Sequence, residues 1–112
     1  MKFMDRDFIK KSIISALAPL TPAKVILFGS YASGKAKDDS DVDIYIVSNE
    51  DYIPASYAEN MRHYKKYSRP LKTLKQDVAL DVIVHTRAMN RLFEDGNSSF
   101  SCEIKKNGER LI

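Results

Sequence analysis

Between Val25 and Val47 the chain twice turns to short runs of strand-forming residues, Val25-Ile26-Leu27-Phe28 and Ile44-Tyr45-Ile46-Val47. What joins these runs restricts the fold more than any other feature. The first run stops on Gly29-Ser30, and ten residues later the second is entered through Asp41-Val42-Asp43. Side chains alternate across a strand, so Asp41 and Asp43 share one face while Val42, Ile44 and Ile46 share the other. The apolar set supplies a core face, and the two acids are held side by side away from it.

The rest of the chain reads as helices and one more strand around this unit. Ile9, Ile13, Ile14 and Leu17 recur at helical spacing. Asp5 or Asp7 is a candidate cap for that helix, and Pro19 and Pro22 end it. The first strand is expected over 24–28 and the second over 42–47, with room for about two helical turns between them. Pro54 suits the first turn of a helix running to near Ser68, which Pro70 interrupts. A short helical piece over 71–76 and a third strand over 78–85 follow. Thr86 looks like the cap of a helix stopped by Gly96, and Ser98 or Ser99 like the cap of another stopped near Gly108. Leu111-Ile112 is either a short edge strand or a frayed end. The pattern predicts an α/β (α+β) fold: one domain over 1–112, with a small sheet flanked by helices.

Composition agrees with a soluble globular chain. Of its 112 residues, 44% are hydrophobic and 29% charged. No apolar run reaches the ~18 residues of a membrane span, and residues 1–7 lack the pattern of a signal peptide. Cys102 is the only cysteine, which excludes an internal disulfide and a multi-thiolate metal site. A cytoplasmic protein without membrane contact is therefore expected. The net charge is +3, yet Asp38, Asp39, Asp41 and Asp43 fall within six positions. Local concentration of the minority sign is more telling than the total.

The chemistry these residues suit is triphosphate handling. Gly29 lacks a Cβ, so a phosphate can approach the backbone closely. Ser30 offers a hydroxyl and an N–H where a short helix begins, and such ends attract anions. Gly29, Gly34 and Lys35 also match the first seven positions of a P-loop, but Ala36 stands where a Ser or Thr hydroxyl must hold Mg²⁺. Only three strand-like segments are evident, and the P-loop reading is rejected. Lys35 remains a candidate phosphate contact. Asp41 and Asp43 repel one another unless a cation intervenes, and Mg²⁺ takes one or two carboxylates together with waters and phosphates. Asp81 is the only acid of the third strand. If that strand pairs beside the second, Asp81 reaches the same face and makes a two-metal site credible.

Gly29-Ser30, ten residues, Asp41-Val42-Asp43 and a later Asp81 resemble the nucleotidyltransferase superfamily that includes DNA polymerase beta. The wording Gly-Ser-Tyr-Ala-Ser-Gly, then Ser-Asp-Val-Asp from Ser40, is similar to its minimal nucleotidyltransferase (MNT) branch. Many members of that branch are antitoxins paired with HEPN-domain proteins. The resemblance implies a mixed sheet of the polymerase beta palm type. It implies that Gly29 and Ser30 hold the triphosphate, with Ser40 and Lys35 as further nucleotide contacts. It implies that Asp41 and Asp43 bind two Mg²⁺ ions, and that Asp81 ligates one and serves as the base. Tyr31 and Ser33 stand where branch members often carry Arg, which puts one cationic phosphate contact in doubt.

The implied reaction moves a nucleoside monophosphate, AMP from ATP, onto a hydroxyl. The chain has no room for a separate acceptor-binding domain, so the acceptor is expected on a partner, by family analogy a HEPN-type protein. Two alternatives stay open: a binding subunit that masks its partner without catalysis, and a transferase for a small molecule or an RNA 3′ end. His63 and His85 are read as bystanders, with the edge of the site a lesser option for His85. The basic, aromatic segment over 62–69 suits RNA, but a solvated helix face with Tyr64 or Tyr67 in the core is favoured.

Overall fold

The structure, a computed structural model, describes residues 6–29 and 41–112. Helix α1 (Arg6–Leu17) buries Ile9, Ile13 and Leu17 on one face. A 3-10 turn over Ala18–Leu20, carrying Pro19, ends it, and Thr21 then takes a left-handed conformation. Asp7 sits inside the first helical turn of α1 rather than at its cap. Asp5, the other candidate cap, lies outside the described residues.

Strands β1 (Lys24–Phe28), β2 (Val42–Val47), β3 (Leu80–His85) and β4 (Glu109–Arg110) form a mixed sheet in the order β3-β2-β1-β4. β1 runs antiparallel to β2 and to β4, while β2 and β3 are parallel. The parallel pair needs a crossover between its strands. That crossover is α2 (Tyr57–Ser68), a 3-10 turn at Arg69–Leu71 and the one-turn helix α3 (Lys72–Lys75). α2 starts later than its sequence suggests because Ser56, not the segment at Pro54, supplies the cap: its side chain accepts from the N–H of Glu59. Glu59 in turn accepts from the N–H of Ala55. β3 starts two residues later than expected, because the N–H of Val78 is taken by the Leu74 carbonyl in a final helical turn.

Both faces of the sheet are covered, which makes β2 almost continuously buried. On one face Val42, Ile44 and Ile46 pack with Val25, Leu27, Val82 and Val84 against α1, Tyr67, Leu71 and Leu74. On the other face Phe28, Tyr45 and Val47 pack with Ile104 and Phe93. Those last two come from α4 (Arg87–Asp95) and α5 (Ser99–Asn107). Thr86 and Ser98 cap α4 and α5, accepting from the N–H groups of Met89 and Ser101. Gly96 ends α4 with a right-handed φ, and Asn97 takes the left-handed turn. Gly108 is needed for close packing: a Cβ there meets Ile104 O at 2.4 Å and Ile26 Cγ2 at 2.5 Å. β4 then lies along β1, its Glu109 held by Arg6 and Lys10 of α1, each at 2.6 Å.

Candidate active site

Phe28 of β1 is the ladder partner of Asp43, and Asp81 of β3 is the partner of Asp43 on its other side. Residues opposite one another in a ladder project to the same face. One row across three strands therefore reads Phe28, Asp43, Asp81. Further along that face Tyr45 and Val47 are buried with Phe93 and Ile104. The acids occupy its more open end: Asp81 is exposed, Asp43 is half-buried, and Asp41, just before β2, is exposed.

The carboxylates act on one another. Burial, then the charge of Asp81, then that of Asp41, pushes the Asp43 carboxyl above its ordinary range. A cation held between them offsets the repulsion and favours the ionised carboxylate. Gly29, at the end of β1, has φ +76 and lies against this group. A Cβ on it would sit 2.2 Å from Asp43 Oδ2. Whatever the carboxylate binds is thus held close to bare backbone at the strand end. Among the described residues no three His, Cys, Asp or Glu side chains are gathered closely enough to hold a metal ion, so Asp41, Asp43 and Asp81 do not form a three-ligand group in this structure. In donor type, two exposed carboxylates and a half-buried one suit Mg²⁺, which keeps positions for water and phosphate oxygens. Ser30, Lys35 and Ser40, and Ala36 of the rejected P-loop, lie outside the described residues.

Behind the acids runs a polar chain that the sequence does not signal, because Tyr45 is embedded in an apolar run. Tyr45 Oη donates to Asn90 Oδ1 at 2.7 Å and lies 2.8 Å from His85 Nδ1. Its single proton goes to Asn90, so its oxygen accepts from the Nδ1–H of His85. Asn90 donates to Glu94 at 2.8 Å, and Lys24 donates to Glu94 at 3.2 Å. The chain joins β1, β2, β3 and α4. His85 shares the face of Asp81 but is four residues along the strand, about 13 Å away, so it does not line the acid row.

His63 is also structural. Its Nε2 lies 2.8 Å from Ser48 Oγ and 3.1 Å from Glu50 Oε2. Ser, His and Glu do not form a nucleophile relay here, because Ser48 is fully buried and both partners meet the same ring nitrogen. Burial lowers the pKa of His63 and of His85. In the basic segment Tyr67 is buried in the core and the lysines and arginines are exposed, the arrangement favoured from the sequence over an RNA platform. No described helix is long and apolar enough to cross a membrane.

Comparison with known proteins bears on the family and the fold. The model of the nucleotidyltransferase domain family matches residues 9–109. A Methanocaldococcus jannaschii protein provisionally named a protein adenylyltransferase is 33% identical over 81 residues, covering 72% of this chain and 77% of that protein. Among solved structures, a chain of a toxin-antitoxin crystal structure with AMP-PNP superposes with a TM-score of 0.55 at 20% identity, over 92% of this chain and 72% of the other. A chain of the complex between tri-AMPylated Shewanella oneidensis HEPN toxin and MNT antitoxin superposes with a TM-score of 0.53 at 18% identity, over 96% of this chain and 72% of the other. The mixed sheet with its helices is the fold these structures share. The chain belongs to the nucleotidyltransferase domain family.

Proposed function

We propose that this nucleotidyltransferase moves AMP from ATP to a hydroxyl of a partner protein, and that the row bearing Asp43 and Asp81 is its catalytic centre. The observation that carries the reading is the register of the sheet: Asp43 stands opposite Asp81 with Gly29 backbone against its carboxylate. Asp41, Asp43 and Asp81 would hold two Mg²⁺ ions, and Gly29, Ser30, Ser40 and Lys35 would receive the triphosphate. When bound, the metals lower the pKa of the attacking hydroxyl and stabilise charge on the transferring phosphate. The acceptor oxygen attacks the α-phosphorus in line, the bond from that phosphorus to the bridging oxygen breaks, and pyrophosphate leaves. The Asp81 carboxylate takes the hydroxyl proton. Gly29, lacking a Cβ, leaves room for the Asp43 carboxylate, and the Tyr45–Asn90–Glu94 chain braces the strands behind it.

Adenine is favoured by the relative named as an adenylyltransferase and by the AMP-PNP-bound neighbour. A HEPN-type partner is favoured by the AMPylated HEPN complex. A cytoplasmic location is part of the same reading. The test is incubation of the chain with Mg²⁺ and ATP labelled on either the α- or the γ-phosphate, together with the product of the adjacent reading frame. Nucleotidyl transfer leaves α-label on that protein and no γ-label. Transfer of γ-label, or α-label found only on added RNA, overturns the reading.

A further inference from the structure

Phe100 lies in the first turn of α5 and is 42% exposed. Single exposed apolar side chains are ordinary, so exposure alone carries nothing. Its surroundings do. The Phe100 ring meets that of Phe28 edge to face, centroids 5.5 Å apart at 72°. Phe28 is the residue that pairs with Asp43 in the ladder, and it is almost wholly buried. On its other side Phe100 meets Phe93 at 5.8 Å, and Phe93 packs on Tyr45. The exposed ring therefore stands over the end row of the sheet, where the covered part of the face gives way to the acids. It is carried on a fixed element: α5 is capped by Ser98 and anchored by buried Ser101 and Ile104.

One ladder spacing and one ring contact separate Asp43 from Phe100, a gap on the order of 10 Å. A ribose spans a gap of this kind between an α-phosphate and a base. We propose that Phe100 is the stacking platform for the nucleobase of the bound triphosphate, an inference that rests on the nucleotide site proposed above. Every base has a π-face, so a lone phenyl platform supplies affinity with little choice among bases. No polar side chain is needed from this position.

The test measures binding to the full chain with Mg²⁺ present, using a non-hydrolysable ATP analogue and inorganic tripolyphosphate as separate probes. Phe100→Ala is expected to weaken the analogue roughly 5- to 150-fold and to leave tripolyphosphate unchanged, while Phe100→Trp retains analogue binding. Phe100→Leu keeps the apolar packing without the π-face and is expected to behave as the alanine variant does. Equal loss of both probes marks a structural role and overturns the proposal. Unchanged analogue binding also overturns it, including where protein transfer falls, since the ring then serves the acceptor. A wild-type chain that binds neither probe refutes the nucleotide site itself, an outcome separate from the failure of Phe100 alone.

Discussion

Replacing Gly29 with alanine separates two costs that the structure keeps distinct. Its φ of +76 is one that L-residues avoid, at roughly 1–2 kcal/mol. The added Cβ also meets Asp43, with Oδ2 at 2.2 Å, Cγ at 3.2 Å and Cβ at 3.5 Å. The first distance forces the carboxylate to move, the second is tight, and the third is ordinary contact. Asp43→Ala removes the first two and leaves the third. Gly29→Ala should therefore cost about 2–4 kcal/mol in the native background but only the backbone part, about 1–2 kcal/mol, when Asp43 is alanine. The coupling of about 1–2 kcal/mol is read from urea or thermal unfolding of the four proteins, where 1 kcal/mol corresponds to about 4–6 °C in Tm for a chain of this size. Activity gives a second reading. Displacing the carboxylate by about 1 Å should lower transfer about 100-fold in Gly29→Ala even at temperatures where the variant is folded. Additivity within about 0.5 kcal/mol refutes the claim that Gly29 exists to admit Asp43.

Three further outcomes follow from the geometry. Asp43→Asn should raise Tm in metal-free buffer at neutral pH while abolishing transfer. The raised pKa of Asp43 means its stabilising contribution is full below its unfolded value near 3.8 and lost as pH rises through the folded value; a lower Tm contradicts this. His63 and His85 have folded pKa values below their unfolded value near 6.5, so the unfolded chain takes protons first. Their contribution is full above about pH 6.5 and falls on acidification, by at most about 1.4 kcal/mol per pH unit for each group. A Tm that holds constant or rises from pH 7 to 5.5 speaks against it. Tyr45→Phe removes the hydroxyl between His85 and Asn90 and should cost about 1–3 kcal/mol by chemical unfolding, and a neutral result denies the chain a bracing role.

Local patterns carried well from sequence to structure. The apolar runs gave strands β1 and β2 their ends, and Thr86 and Ser98 cap helices because their side chains outcompete water for the first free N–H groups. The mixed sheet flanked by helices matches the expected fold class. What was hidden depends on pairing between distant segments. Asp81 was legible as a partner of Asp43 only on the condition that the third strand pairs beside the second; the parallel register meets that condition, and no short-range spacing encodes it. The second core was hidden because Tyr45 and Val47 alternate with residues already assigned to the first. Gly29 was legible as a small turn residue, but its contact with Asp43 exists only once β1 and β2 are side by side. The aromatic neighbours Phe28 and Phe100 lie far apart in the chain, and only α5 folding back over the sheet brings them together.

The central claim is that the carboxylates around Asp43 and Asp81 carry out nucleotidyl transfer with a divalent metal. The measurement that meets it most directly is the rate at which α-labelled ATP marks the partner, for the wild-type chain, Asp43→Asn and Asp81→Asn, each with Mg²⁺ and with EDTA. The account predicts labelling at the full rate only by wild type with Mg²⁺, with Asp81→Asn slower by about 10²–10⁴-fold while its Tm is no lower than that of wild type. Labelling by Asp43→Asn at the wild-type rate, or labelling that persists in EDTA, contradicts it.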